Sequence, residues 1–329
     1  MAGSEFYTVD GIEQHVLKLG SGSPTVVFES GSNYGTGGWG TIVDEISKQT
    51  SVVCTDRPGL GLSRMSKTKR TLDDAADRLH SLLAAAGVLT REELVFVGWS
   101  NGCMYLRRML ERHPEVKPAV KGIVFIDSYH ECSAKWFEEA GLGSISEMIG
   151  AKHKPLESMR RLMNFASGSG LASLFISAEK AKTSFITALF YEVLVRSKTG
   201  WDGFLDELHF SVEMLYDGNK PKSLDDTPLT VISATCADKS LATFEEMLAK
   251  DPAATNEGIP VAAFLATVKR WQKDLVGLSS RAKEIRAAVT TAHAVHFNEP
   301  RLVIDAIREY ACPAAGVAPA QSADYSTLL

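Results

Sequence analysis

The chain has 329 residues, 45% hydrophobic and 23% charged, enough apolar surface for one large globular core or a core carrying an insertion. Its 35 Lys and Arg against 40 Asp and Glu give a net charge of −5 without a basic block, which argues against nucleic acid or an anionic membrane as partner. Cys54, Cys103, Cys132, Cys236 and Cys312 lack CxxC spacing, and neither a signal peptide nor an apolar run of about 18 residues is evident; a reduced, cytoplasmic setting is expected.

Gly3-Ser4-Glu5-Phe6 reads as a cloning remnant, with the fold beginning near Tyr7. Residues 12–19 alternate as a strand does, and Gly20-Ser21-Gly22-Ser23 reads as a hairpin turn into a more buried strand at 24–28. A glycine- and serine-rich loop follows, Glu29 to Gly35, and such a loop can turn backbone N–H groups towards the tip of a neighbouring strand. Residues 51–55 form the next strand and run into Asp56-Arg57-Pro58-Gly59-Leu60-Gly61-Leu62-Ser63, a tight turn. From Thr71, with Asp74 three residues on, a capped helix extends to Gly87.

Residues 94–97 are an apolar, partly β-branched run, and Met104, Leu106, Met109 and Leu110 recur at helical spacing. Between them lies Gly98-Trp99-Ser100-Asn101-Gly102, a G-x-S-x-G elbow in its strand–helix context. The abrupt reversal strains the tip residue, and the glycines leave room for strand and helix to cross closely. Ser100 is therefore the candidate nucleophile. The backbone N–H of Asn101 at the helix start and that of Ser32 in the earlier loop are the candidate oxyanion donors.

Residues 122–126 make a further buried strand, ending in Asp127-Ser128-Tyr129-His130. From 132 to 226 the pattern turns helical, with one stripe from Phe185 to Leu194 and another from Phe204 to Leu215; Gly168-Ser169-Gly170 interrupts it and suggests a lid with some freedom to move. Most stripe residues are expected to pack against the core, while Trp99, Phe185 and Phe190 are expected to line a substrate pocket. Strand character returns at 229–232, then helices at about 240–250 and 258–276, a last strand near 285–291, and a closing helix at 300–310. Residues 311–329 read as a disordered tail. No cluster of His, Cys, Asp or Glu shows metal-ligand spacing, so neither a metal nor another cofactor is expected.

ESGSNYGTGGW after an early strand, DRPGLGLS, GWSNG, GIVFIDSYH and AHAVHFNEP before a closing helix together resemble the α/β-hydrolase superfamily over residues 7–310. The resemblance implies a mostly parallel sheet flanked by helices, with residues 7–131 and 227–310 as the core and 132–226 as an inserted helical cap. It also implies His293 as the general base, with His296 a neighbour that packs locally. The triad acid is either Asp127 or Asp238, since the superfamily uses both positions; the FIDSYH-like ending favours Asp127. Two departures stand out: Ser30-Gly31 replaces the frequent His-Gly, and Ala292 replaces the glycine before the base.

The expected activity is cofactor-free hydrolysis of a small, uncharged, fairly apolar ester or lactone through an acyl-enzyme. A serine at the elbow argues against the epoxide hydrolases and haloalkane dehalogenases that resemble this fold, because those use an aspartate. A C–C hydrolase, thioesterase or amidase with the same triad, or a small-molecule receptor on the same fold, are the alternatives.

Overall fold

The computed structural model describes residues 3–67, 70–144, 158–168, 185–234, 261–286 and 293–312, together with 177, 180 and 182. Eight strands form one sheet: β1 (Ser4–Val9), β2 (Ile12–Leu19), β3 (Thr25–Glu29), β4 (Ser51–Thr55), β5 (Leu94–Trp99), β6 (Val120–Ile126), β7 (Leu229–Ser233) and β8 (Ala282–Arg286). Their order is β1-β2-β4-β3-β5-β6-β7-β8. The last six in that order run parallel, and β2 joins them antiparallel through β4. This is the mostly parallel sheet of the α/β-hydrolase fold.

The edge of the sheet differs from the sequence expectation. Ser4, Glu5 and Phe6 are part of β1, which pairs with β2. Asp10 and Gly11, both at positive φ (48° and 75°), close that hairpin as a two-residue primed turn requires. Gly20–Ser23 is not a hairpin turn, because β4 lies between β2 and β3. With the first six residues set aside, β2 loses its true partner, and the Gly-Ser run is the next turn signal along the chain.

Alternate residues of the central parallel strands β3, β5 and β7 go to opposite faces, both of them dry. Val27, Phe96, Ile123 and Phe125 pack with α2 (Leu72–Ala85), α3 (Gly102–Arg112) and α8 (Val261–Val276). Val26, Phe28, Val95 and Val97 pack with α1 (Ile42–Ser47) and α10 (Pro300–Ala311). Thr71 caps α2 in a reciprocal box with Asp74, as its sequence predicts. Between β6 and β7 the described residues hold α4 (Ser133–Glu139), α5 (Arg160–Gly168), α6 (Phe185–Phe190), a π-helical turn (Tyr191–Arg196) and α7 (Trp201–Met214), with no strand among them. The short α9 (Val295–Asn298) precedes α10. The expected helix at 240–250, the end of the strand expected at 285–291 and residues 313–329 of the expected tail lie outside the described residues, while Ala311 and Cys312, also placed in that tail, are the end and C-cap of α10. Among the described residues no helix is long and apolar enough to cross a membrane.

The turn after β4 does more than reverse the chain. Buried Arg57 pairs with Glu29 at the end of β3 (2.6 Å) and with Glu207 of α7 (2.8 Å), and donates to the carbonyls of Ser30 (2.7 Å) and Gly31 (2.6 Å). Asp56 beside it accepts from Arg196 (2.6 Å), His15 (2.8 Å) and the backbone N–H groups of Thr36 and Leu62. Burial works to raise the Asp56 pKa, yet the Arg196 charge and the His15 hydrogen bond hold it well below the usual carboxylate range. Removing one partner of such a pair strands the other charge without water. Arg57→Met is therefore expected to lower the unfolding free energy by roughly 3–5 kcal/mol, read from urea denaturation. A loss below about 1 kcal/mol, the value of a surface pair, would refute this account.

Candidate active site

The site sits where strand order reverses. The chain leaves β3 to pair β4 on one side and β5 on the other, so the loops after β3 and β5 diverge above a crevice at their carboxyl ends. Ser100 stands at the tip of the turn between β5 and α3 with φ +56°, a left-handed conformation costly for a non-glycine residue. Its N–H donates to Ile126 O at 2.9 Å, tying the tip to β6. The glycines on either side are sterically required. A Cβ on Gly98 would lie 2.9 Å from Cys103 Cα, and one on Gly102 would lie 2.1 Å from Glu29 O.

The structure brings three of the residues singled out by sequence into one line. His293 Nε2 lies 2.7 Å from Ser100 Oγ, and His293 Nδ1 lies 2.6 Å from Asp127 Oδ2. Asp127 follows β6 at φ +40°, and its other oxygen accepts from Ala234 N–H at 3.1 Å. An ionised carboxylate only accepts, so Nδ1 carries the imidazole proton and Nε2 presents its lone pair to the Ser100 hydroxyl. Trp99 Nε1 donates to the carbonyl of His293 (3.0 Å), so the elbow itself steadies the histidine loop. Asp238, the other acid considered, lies outside the described residues, as does Ala292.

Ser32 and Asn101 meet at the other side of Ser100. Among the described residues no acceptor takes the backbone N–H of either. Asn101 Nδ2 donates to Ser32 Oγ (2.5 Å), and Ser211 of α7 donates to the same oxygen (2.7 Å). Both lone pairs of that hydroxyl are thus occupied, which leaves its own O–H to point elsewhere.

Ser32, Ser100, Asn101 and His293 open onto a cavity of about 220 Å³. Its walls are Tyr34, Trp99 and Tyr129 from the core and Leu208, Ser211, Val212 and Leu215 from α7 and its C-cap. Trp99 lines the cavity as expected. Phe190 does not: its side chain is 37% exposed, on the outward side of α6, whose Ala188 is the buried residue. The Phe185 side chain lies outside the described residues. The pocket wall is drawn instead from the second helical stripe, where Leu208, Val212 and Leu215 share one face. Tyr129 and Ser211 carried no separate signal in the sequence.

His296 is placed apart from the relay. It is buried, and its Nε2 donates to Gly38 O at 2.8 Å beneath the ring of Trp99.

Residues 24–144 match a sequence model of a family described as alpha/beta hydrolase fold. The chain is 37% identical over 83 residues to the uncharacterized protein YqjL of Bacillus subtilis (strain 168), a match covering 25% of this chain and 33% of that protein. The chain thus spans about a third of the length of the curated relatives it matches. Among solved structures it is similar to a thermophilic esterase from Thermogutta terrifontis, with TM-score 0.57 and 15% identity over 94% of this chain and 98% of that one. It is also similar to an epoxide hydrolase from Bacillus megaterium, with TM-score 0.59 and 15% identity over 93% and 99%. Both likenesses are likenesses of fold.

Burial pushes the His296 pKa down from 6.5 to about 3, only partly opposed by its bond to Gly38. The folded state therefore holds fewer protons than the unfolded chain between those values. Stability from this group is complete above about pH 6.5 and is lost as pH falls towards 3, by up to about 1.4 kcal/mol per pH unit. His296→Gln should flatten the acid-side fall of the melting temperature measured by calorimetry. An unchanged slope between pH 6.5 and 4 would contradict the burial of a neutral imidazole.

Proposed function

We propose that this protein is a serine hydrolase of the α/β-hydrolase superfamily, acting on a small, uncharged carboxylic ester or lactone. The observation that carries this reading is the continuous hydrogen-bonded line from Asp127 through His293 to Ser100 at a cavity wall. His293 Nε2 takes the Ser100 proton as Oγ bonds to the carbonyl carbon, and the carbonyl π pair moves onto oxygen. The N–H groups of Ser32 and Asn101 bind that oxyanion, with the Ser32 hydroxyl as a third donor. When the tetrahedral species collapses, the C–O bond to the leaving alkoxy group breaks and His293 protonates it. Water, deprotonated by the same Nε2, then attacks the acyl-enzyme and restores Ser100. Asp127 keeps the proton on Nδ1 and stabilises the imidazolium. The reaction as written needs no cofactor. Residues 132–226 serve as a cap whose α7 wall of Leu208, Val212 and Leu215 favours an apolar acyl or alkoxy group.

Turnover of p-nitrophenyl esters and lactones tests the reading. Ser100→Ala should fold normally and lose nearly all hydrolysis, and a fluorophosphonate should label the wild type at Ser100. Asp127→Asn should lower kcat by about 10⁴-fold, because the imidazole would be held in the wrong tautomer. Labelling at another residue, or near-normal turnover by a folded Asp127→Asn protein, would refute the assignment.

The Ser32 hydroxyl has its own test. Ser32→Ala keeps the backbone amide and removes only the O–H, so kcat should fall by about 10- to 100-fold with KM little altered. A change confined to KM would place that hydroxyl on the substrate instead of on the oxyanion.

A further inference from the structure

Away from the cavity, α2 packs against α3, and three side chains converge where α3 ends. His80 comes from α2, His113 is the C-cap of α3, and Glu115 follows in the 3-10 turn that begins at Pro114. We propose that His80, His113 and Glu115 form a binding site for a first-row divalent metal ion, of which zinc is the probe. Their ligand atoms all lie within 4.8 Å of one another.

The His113 tautomer is set for this. Arg112 donates through Nε and Nη2 to the two oxygens of Asp77, each at 2.6 Å, so Asp77 is an ionised acceptor. His113 Nε2 lies 2.9 Å from Asp77 Oδ1 and must therefore be the N–H donor. That leaves the lone pair on His113 Nδ1, which faces Glu115 Oε1 at 3.4 Å. His80 Nε2 reaches the same oxygen at 3.5 Å. Bonds of about 2.1 Å to a tetrahedral ion place neighbouring ligand atoms about 3.4 Å apart, so both separations are the edges of a zinc-sized tetrahedron. Asp77 would stand as the outer carboxylate that orients a metal-bound histidine.

Two imidazoles and one carboxylate suit zinc, nickel or copper better than calcium or magnesium, with water completing the shell. One adjustment is needed. The two rings are stacked, with centroids 3.7 Å apart and planes within 5°, so their lone pairs lie in two separate, nearly parallel planes. They must splay to share one ion. Their partial exposure, 23% for each histidine side chain and 63% for Glu115, leaves room to do so. Such an ion would clip α2 to the end of α3. The 11 residues of α3 separate that end from the elbow by about 16 Å, so the ion would act on stability and not on the reacting atoms.

The test is calorimetric titration of the chelator-stripped full chain with zinc chloride, together with thermal melting. One zinc per chain and a higher melting temperature with zinc are expected. His80→Ala and His113→Ala should each weaken binding by at least about tenfold, and Glu115→Gln should weaken it as well. X-ray absorption of the wild-type zinc complex should show nitrogen and oxygen neighbours only, a readout that does not depend on the variants folding. No binding by the wild type, unchanged affinity in a folded His80→Ala/His113→Ala protein, or sulfur in the zinc shell would each overturn the proposal.

Discussion

The buried pair Asp56–Arg57 is the constraint on which the site depends. Two neighbouring residues of one turn send opposite charges into separate networks, and each reaches both the sheet and the inserted helices. Arg57 holds the carbonyls of Ser30 and Gly31, so the loop after β3 has its acceptors turned towards the guanidinium. Of its amides, that of Ser32 has no acceptor among the described residues and borders the same cavity as Ser100. Asp56 fixes the far end of the same loop through Thr36 N–H. The glycines there follow from those charges: a Cβ on Gly35 would lie 2.1 Å from Asp56 Oδ1, and one on Gly37 would lie 2.0 Å from Glu192 Oε1. The glycine-rich run is therefore a loop pressed against carboxylates. Buried ions seldom add net stability over apolar residues of the same volume. Here they determine which way a backbone segment faces.

Strand register does the remaining positioning. Trp99 pairs with Ile126 across β5 and β6, and Ile126 with Ile232 across β6 and β7. Ser100 and Asp127 therefore leave adjacent strands at the same level, and both adopt positive φ there. Parallel strands that end together above a switch point concentrate strained turns in one place, and the sheet beneath is buried deeply enough to hold them. His293 comes from the far end of the chain, and Trp99 meets its backbone at that level.

The parts of the molecule legible in sequence are those whose signal is local. Residues 94–110 show strand, elbow and helix by apolar spacing and two glycines, and Thr71 with Asp74 announces α2. The fold class follows from strands alternating with helices. What stayed hidden depends on contacts distant in sequence. DRPGLGLS reads as a turn, because nothing in its spacing reveals that Arg57 pairs 150 residues away with Glu207. Phe190 and Val212 lie on equally apolar stripes, and only packing decides that the first faces outward while the second lines the cavity. The edge hairpin was legible in Asp10-Gly11, but only to a reading that keeps the residues before Tyr7. His80 and His113 likewise lack any motif, since the two helices alone bring them together.

The inserted helices were expected to form a lid with freedom to move, and α7 is placed differently. Glu207 is fully buried and takes Arg57, Arg70 and the Tyr105 hydroxyl, while Ser211, one turn on, bonds Ser32. The pocket residues Leu208, Val212 and Leu215 thus lie beside two anchors facing the core. Lifting α7 would part buried Glu207 from both Arg57 and Arg70, and breaking such a buried pair costs roughly 3–5 kcal/mol. Thermal motion seldom supplies that within a catalytic cycle unless substrate binding offsets it. The α7 wall is therefore fixed against the core, and the Ser211–Ser32 bond ties it to the loop after β3 as well. Beside α7, by contrast, α5 exposes Leu162 and Phe165 and carries no comparable buried charge among the described residues.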